Sequence, residues 1–374
     1  MDKTCNLRWI SVVLALTATQ AAWAENSSVT IYGVLDVFAG YQSTTIGGQK
    51  TNLSLVGNNG EMTSRIGFKG KEDLGQGYFA AFNLESGFDP STGALQNSYR
   101  LFDRQAWVGL GGGFGEVRVG RQNTPMFNYA GNMDAFGAAT YGSAFNNFAN
   151  WLARVDNDIS YVTPKFSNTT VELHYSPGER AGTSVGNAVY QLGSQTQQGP
   201  ISFATAYLRA NNATNTVSVT QLMAGGNYDY GNGKVYLAFF RTNDVISTTT
   251  GNALTNPAGK YDPSGSVVGN VAGNYHNVYG LSLDYRLTPA LSVGGGGGYI
   301  QDSSSLDRNA KQFGLILNYD LSKRTRMYSV VSRLVNENGA AYKMTGASLT
   351  TSQALSPQAG ASEFGFQLGI RHMF

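Results

Sequence analysis

The chain has very little of three things that most proteins of its length use: cysteine, proline and long apolar runs. Its 374 residues include one cysteine, Cys5, and nine prolines. Cys5 lies upstream of a predicted cleavage point, so the mature chain has no thiol, which excludes disulfides and cysteine-ligated metals. No apolar run downstream reaches the roughly 18–20 residues that a membrane-spanning helix needs.

An excess of charge of either sign is also lacking. Lysine and arginine total 26 and aspartate and glutamate 24, a formal net charge of +2. Without the charges of Asp2, Lys3 and Arg8, which precede the cleavage point, the net charge is about +1. No basic field covers the molecule, and nucleic acid is therefore not expected as a partner.

The first 24 residues have the features of a signal peptide. Lys3 and Arg8 form a positive region, residues 10–18 are mostly apolar, and Ala22-Trp-Ala24 fits the small-x-small cleavage rule. We predict that residues 1–24 are removed and that residues 25–374 form one domain, because no linker or change in composition divides them.

Glycine and tyrosine are abundant, with 47 and 21 residues, and apolar residues recur at every second position. The clearest case is the last stretch of the chain, where polar and glycine residues alternate with apolar ones. A period of two residues predicts a β-strand with one apolar and one polar face. The apolar set is Phe364, Phe366, Leu368, Ile370, His372 and Phe374.

About sixteen such segments follow one another, joined alternately by short turns and long polar connections. This arrangement predicts an all-β fold, a sixteen-stranded antiparallel transmembrane β-barrel, wide enough to leave an aqueous channel. The long connections include 42–61, 88–98, 122–155, 244–274 and 337–361. The predicted strands are roughly 29–41, 62–71, 77–87, 99–110, 115–121, 156–164, 168–177, 187–195, 200–209, 217–229, 233–243, 275–286, 290–301, 310–320, 325–336 and 362–374.

Several motifs resemble those of the general porins of Gram-negative bacteria, nearest the betaproteobacterial branch. They are spread over the whole mature chain and are specific as a set. The carrying stretches are Val29-Thr-Ile-Tyr-Gly-Val-Leu-Asp36, Ser64-Arg-Ile-Gly-Phe-Lys-Gly-Lys-Glu-Asp-Leu-Gly75, Asp103-Arg-Gln-Ala-Trp-Val-Gly-Leu110, Phe114-Gly-Glu-Val-Arg-Val-Gly-Arg-Gln122, Asn157-Asp-Ile-Ser-Tyr-Val-Thr-Pro164, Leu321-Ser-Lys-Arg-Thr325 and Gly369-Ile-Arg-His-Met-Phe374.

The resemblance implies a homotrimer in the outer membrane that passes small hydrophilic solutes and ions. It also implies that the third extracellular loop, about residues 123–153, folds inward and narrows the pore. The terminal Phe374 matches the family's signal to the barrel assembly machinery. Outer-membrane lipid is the other expected partner.

By the same resemblance, arginines on the barrel wall face acidic residues on the inward loop. The wall candidates are Arg65, Arg104 and Arg154, with Lys69 beside them, and the loop candidate is Asp134, the one acid between Arg121 and Arg154.

Alternation supports part of this assignment. Ile66 and Phe68 toward lipid place Arg65 and Lys69 in the lumen, and Trp107 toward lipid would place Arg104 there. Asp36 and Glu85 face the lumen by the same pattern. A positive wall opposite a single carboxylate predicts a mild preference for anions.

Other functions fit less well. The three histidines His174, His276 and His372 lack the spacing of a metal site, and no nucleophile elbow or phosphate-binding glycine loop is present, so neither a metal, a cofactor nor an enzyme is expected. A barrel hydrolase, a surface adhesin and a purely structural barrel remain as alternatives outside transport. Within transport, the alternative is a solute-selective channel with binding groups along the lumen.

Overall fold

One antiparallel sheet forms most of the computed structural model, which describes residues 28–212, 215, 218–243, 275–347, 355 and 359–374. The predicted signal peptide and most of the connections 244–274 and 348–358 lie outside the described residues. The strands are β1 (Ser28–Ile46), β2 (Gln49–Asn58), β3 (Arg65–Gly75), β4 (Tyr78–Gly87), β5 (Gln105–Gly112), β6 (Gly115–Asn123), β7 (Arg154–Val162), β8 (Thr169–Ser176), β9 (Val189–Gln198), β10 (Ile201–Asn211), β11 (Ser218–Asp229), β12 (Lys234–Thr242), β13 (His276–Arg286), β14 (Leu291–Asp302), β15 (Ala310–Asp320), β16 (Thr325–Asn336) and β17 (Ser362–Met373).

The sheet closes into a barrel because β1 pairs on both of its sides. Along one side it pairs with β17, from Val34 opposite Met373 to Thr45 opposite Ser362. Along the other side its second half pairs with β2 and its first half with β3. β2 and β3 therefore occupy a single strand position in the barrel. For this reason the seventeen strand segments make the predicted sixteen-stranded antiparallel barrel.

The side chain of Asp36 binds the segment that separates β2 from β3. Its buried carboxylate accepts hydrogen bonds from the backbone N–H groups of Glu61 and Met62, at 2.8 and 2.6 Å. The Tyr328 hydroxyl donates to the same group at 2.6 Å from across the seam. Asp36 faces inward, as its position in the alternation predicted.

The connection 42–61, predicted to be a long loop, is instead part of the wall. β1 continues to Ile46, turns at Gly47 and Gly48, which both have positive φ, and returns as β2. Polar residues on both faces of this hairpin hide the two-residue period. The strand predicted at 99–110 begins later, at Gln105.

Along the strands, apolar side chains alternate outward and polar or small ones inward. On β17, Phe364, Phe366, Leu368 and Ile370 are exposed, whereas Gln367 is fully buried. The connections also alternate: turns such as 76–77 and 321–324 are at one end, called here the turn end, and the longer connections are at the other, the loop end. In an outer-membrane barrel the turn end is periplasmic and the loop end extracellular.

The connection between β6 and β7 contains two short helices, α1 (Pro125–Ala130) and α2 (Ala144–Phe148), with a 3₁₀ turn at Gly131–Met133. Thr124 and Ser143 cap the two helices through their hydroxyl groups. No helix among the described residues has the length and hydropathy needed to cross a bilayer.

This connection lies against inward-facing side chains of the wall. The Tyr141 and Leu152 backbone N–H groups donate to Gln367 and Gln221 at 2.8 and 3.0 Å. The amide of Gln312 donates to the Tyr141 carbonyl at 2.6 Å. Most of the large apolar side chains of the connection are buried, and they pack with inward-facing side chains of the wall in one internal core: Met126, Tyr129, Met133, Phe136, Tyr141, Phe145, Phe148, Trp151 and Leu152.

Candidate pore constriction

Arg65 and Arg104 share one carboxylate, that of Glu85 on β4. Arg104 Nε donates to Glu85 Oε1 at 2.6 Å, and Arg65 Nε lies 3.3 Å from Oε2. The Tyr32 hydroxyl donates to the same carboxylate at 2.8 Å. The Arg104 side chain is 4% exposed and that of Arg65 is 18% exposed, so Arg65 is the more open to solvent.

Arg154 joins this pair through an aromatic ring. Its guanidinium carbon is 4.6 Å from the ring centre of Phe127, a residue of α1, and the guanidinium of Arg104 is 5.9 Å from the same ring. Its Nε and Nη2 atoms have no hydrogen-bond partner among the described residues. The three predicted wall arginines therefore lie in one group with Glu85 and Phe127, called here the wall cluster.

Lys69 lies beside the wall cluster. Its ammonium is 5.2 Å from the ring centre of Tyr32, whose hydroxyl is bonded to Glu85. Because Tyr32 faces inward to reach Glu85, Lys69 lies on the inner face as well, which agrees with its position in the alternation.

The argument that placed Trp107 toward lipid was wrong. Trp107 is paired with Asn83, whose side chain faces inward and accepts a hydrogen bond from Tyr32. The guanidinium carbon of Arg118 lies 4.6 Å from the centre of the Trp107 ring. Arg104 still reaches the interior because it precedes the first residue of β5 and is not bound by the strand's alternation.

Asp134 is placed elsewhere than opposite the arginines. It is 6% exposed, it accepts a short hydrogen bond from Ser143, and Ser282 on β13 donates to it at 3.2 Å. Burial raises the pKa of its carboxyl from 3.8 to about 6, while hydrogen bonds from Ser143, the backbone and Ser282 oppose the rise. Asp134 thus anchors the connection to the far wall, with no arginine in contact among the described residues.

Comparison with known proteins decides the family. The model of the Gram-negative porin family matches residues 11–339. This chain belongs to that family.

The porin is similar over nearly its whole length to known outer-membrane proteins. It is 28% identical to outer membrane porin protein 32 of Delftia acidovorans, over 97% of this chain and 99% of that protein. It is 32% identical to an outer membrane porin protein of Bordetella pertussis, over 84% of this chain and 91% of that protein. A solved structure entitled anion-selective porin from Comamonas acidovorans superposes with a TM-score of 0.73 at 26% identity, covering 93% of this chain and all of that one. The porin is accordingly an outer-membrane channel and not an enzyme.

A second segment of the porin enters the barrel, which sequence reasoning missed. Residues 340–347 follow β16 and are largely buried. Thr345 and Gly346 bond to Asn147 and Asn146 of the β6–β7 connection, and Gln42 donates to the Met344 carbonyl at 3.2 Å. Burial lowers the pKa of Lys343 in this segment, opposed by the charge of Glu363. Its run of small residues gave no periodic signal from which the position could be inferred.

The inner wall also carries a cluster of carboxylates around His174 that the sequence did not reveal. His174 Nδ1 is 2.6 Å from Asp158, and Tyr129 of α1 donates to Glu172 at 2.9 Å. The sequence alone shows only that His174 lacks the spacing of a metal site, because its partner Asp158 lies on the neighbouring strand β7. No group of His, Cys, Asp and Glu residues in the described part of the chain is arranged to hold a metal.

Toward the turn end, the interior opens into a cavity of about 420 Å³. Both signs of charge line it. Arg326 bridges Glu61 and Asp320 at 3.0 and 2.6 Å, and Arg371 lies 3.2 Å from Glu61. Asp134 is one of the residues that line this cavity. Asp134 and the wall arginines, which were expected to face each other, therefore face different parts of the interior.

Proposed function

We propose that this porin is a mildly anion-preferring general-diffusion channel, narrowed where the β6–β7 connection approaches the wall cluster. The observation that carries the proposal is the charge of that cluster. It contains three guanidinium groups, from Arg65, Arg104 and Arg154, and one carboxylate, from Glu85. A net positive field at a narrow point concentrates anions and repels cations.

The role of Asp134 in this proposal differs from a facing negative charge. It holds the connection to Ser282 on β13, a few residues beyond the first helix, whose Phe127 lies beside the arginines. The name of the structurally similar Comamonas porin, which describes it as anion-selective, agrees with the proposed preference.

Reversal potentials across planar bilayers in a salt gradient test the proposal. We expect the native protein to prefer chloride over potassium, Arg154→Gln to reduce that preference and Glu85→Gln to increase it. One charge about 6 Å from the ion path in water changes the energies of an anion and of a cation by about 0.7 kcal/mol each, in opposite directions, so each shift should be up to about tenfold in the permeability ratio.

Arg333→Gln is the matched control, because it removes the same charge from an exposed outward position on β16. Its reversal potential should equal that of the native protein. Cation preference in the native protein would refute the proposal, and so would a ratio unaffected by Arg154→Gln.

The solute-selective alternative predicts a different result in the same bilayers. A bound solute would block the single-channel current with a saturable, solute-specific dependence on concentration. Proportional permeation of unrelated small anions supports general diffusion instead.

We also propose that the porin works as a homotrimer, that it contacts outer-membrane lipid, and that Phe374 is read by the barrel assembly machinery. A related solved structure is described as a trimer form. The mass of the detergent-solubilised native complex should equal three chains, and a monomeric mass under conditions that preserve conductance would contradict the proposal.

A further inference from the structure

The cavity at the turn end, called here the turn-end cavity, has a lining that differs from the wall cluster. It lies between the β6–β7 connection and the wall from β12 to β17, and it measures about 420 Å³. Pockets that hold small molecules in proteins measure about 300–1,000 Å³. Three arginines and four acidic residues line the cavity: Arg286, Arg326, Arg371, Glu61, Asp134, Asp284 and Asp320. Such a lining has no excess of positive charge to attract a simple anion.

Four of these charged groups are already paired with one another. Arg326 bridges Glu61 and Asp320, and Arg371 lies 3.2 Å from Glu61. A solute that bound one of them would have to break an existing ion pair, which offsets most of the contact it gained. Asp134 is 6% exposed, so it is largely closed to a solute as well.

Asp284 and Arg286 are the two remaining charges, and neither has an ion-pair partner in the described part of the chain. Asp284 is half-buried and Arg286 is exposed. The carboxylate of Asp284 accepts hydrogen bonds from the Lys234 backbone N–H at 3.0 Å and from the Tyr236 hydroxyl at 2.6 Å, two neutral donors that orient it without neutralising it. Because Asp284 and Arg286 are two residues apart on β13, they lie on the same face, with about 7 Å between their Cα atoms.

We propose that Asp284 and Arg286 form a weak binding site for a free α-amino acid in its zwitterionic form. The ammonium group of the solute would donate to Asp284, and its carboxylate would accept the paired N–H groups of Arg286, whose fork matches two carboxylate oxygens. A solute with a single charge satisfies only one of the two residues, so the pair distinguishes a zwitterion from an anion or a cation of similar size. The site lies at the periplasmic end of the channel, apart from the wall cluster, and it does not depend on the proposed anion preference.

Saturation-transfer difference NMR of the native porin in a non-ionic detergent tests the proposal, with L-alanine as the probe. Two analogues each lack one of its charges: N-acetyl-L-alanine keeps the carboxylate, and L-alaninamide keeps the ammonium group at about pH 6. We expect saturable L-alanine binding with a dissociation constant of about 1–10 mM, weak enough for the solute to leave the channel, and about tenfold weaker binding of each analogue. Binding of either analogue as tight as that of L-alanine would overturn the proposal, as would the absence of saturable L-alanine binding.

Variants assign the two charges of the solute to the two residues. Asp284→Asn keeps an oxygen acceptor for the Lys234 N–H, and it should bind L-alanine about tenfold more weakly, no better than the native protein binds N-acetyl-L-alanine. Arg286→Gln should bind L-alanine no better than the native protein binds L-alaninamide. Asp73→Asn and Arg324→Gln are the matched controls, because they remove the same charges from exposed positions at the turn end that do not line the cavity, and their L-alanine binding should be native. Native binding in Asp284→Asn and Arg286→Gln, or an equal loss in the controls, would overturn the proposal.

Discussion

At the scale of single residues, Glu85 determines how the wall arginines are held. Its carboxylate is nearly fully buried and receives Arg104, Arg65 and Tyr32. A buried charge whose partner is removed is left poorly solvated, so truncating one arginine costs more than the loss of one contact. Arg154 lacks such a carboxylate partner in the described structure, so Arg154→Gln removes one positive charge and leaves no buried carboxylate unpaired.

Asp134 gives a prediction for the dependence of stability on pH. Burial raises its pKa from the ordinary 3.8 to about 6 in the folded chain, so the folded state binds more protons than the unfolded state between these pH values. Asp134 therefore contributes most to stability below about pH 4, and that contribution is lost as the pH rises to about 6. The loss is at most roughly 3 kcal/mol, the free-energy equivalent of that rise in pKa.

Asp134→Asn cannot titrate but keeps an acceptor for Ser143 and Ser282. As the pH increases from 4 to 7, the midpoint of heat unfolding of Asp134→Asn should therefore rise relative to that of the native protein. The midpoints are measured by circular dichroism in the same detergent. Parallel pH profiles for the two proteins would contradict the burial argument.

At the scale of elements, glycines let the β6–β7 connection approach the wall. A Cβ on Gly314 of β15 would be 2.6 Å from the backbone of Gly142, and one on Gly298 of β14 would be 2.8 Å from Ala144. The glycine run of β14 therefore has a packing role on its inner face at Gly298.

Gly314→Ala should push the connection inward by several tenths of an ångström, because the atoms it meets are backbone. We expect a lower single-channel conductance, measured in planar bilayers. Gly295→Ala is the control: it lies on the outer face of β14, and its Cβ would meet the flexible end of the Leu315 side chain. Equal conductance in the two variants would show that the contact does not set the pore width.

Elements also show where sequence reasoning was limited. The two-residue period predicted β13, β15 and β17 with little error, because lipid selects apolar residues at every outward position. It missed β2, whose outward residues include Lys50, Asn52 and Ser54, since this hairpin extends toward the loop end and needs no apolar face. It also misplaced Trp107, because inside the lumen an aromatic ring can stack on an arginine instead of facing lipid.

At the scale of the whole molecule, the barrel is closed by the pairing of its first and last strands. Phe374 extends that seam, with backbone hydrogen bonds to Gly33 of 3.0 and 3.1 Å in the two directions. A Cβ on Gly33 would be 2.3 Å from the Phe374 ring, so the ring lies directly over this glycine.

Deletion of Phe374 should therefore destabilise the barrel even when no assembly machinery is present. Two lost backbone hydrogen bonds and a lost ring contact amount to about 2–4 kcal/mol. The heat-unfolding midpoint of protein refolded in detergent measures this effect, with Phe374→Tyr as the variant that keeps the pairing. A native midpoint in the deletion protein would leave Phe374 with a role in cellular assembly alone.

The class of fold, the number of strand positions and the face on which most side chains lie can be read from the order of the amino acids. These follow from local alternation, because lipid and water act on each residue separately. Which residues meet across the lumen is seen only in the folded barrel: Glu85 binds two arginines, Phe127 lies between Arg154 and Arg104, and Asp134 binds the opposite wall. Such contacts connect residues tens to hundreds of positions apart, and they depend on barrel closure and on two connections that enter the interior.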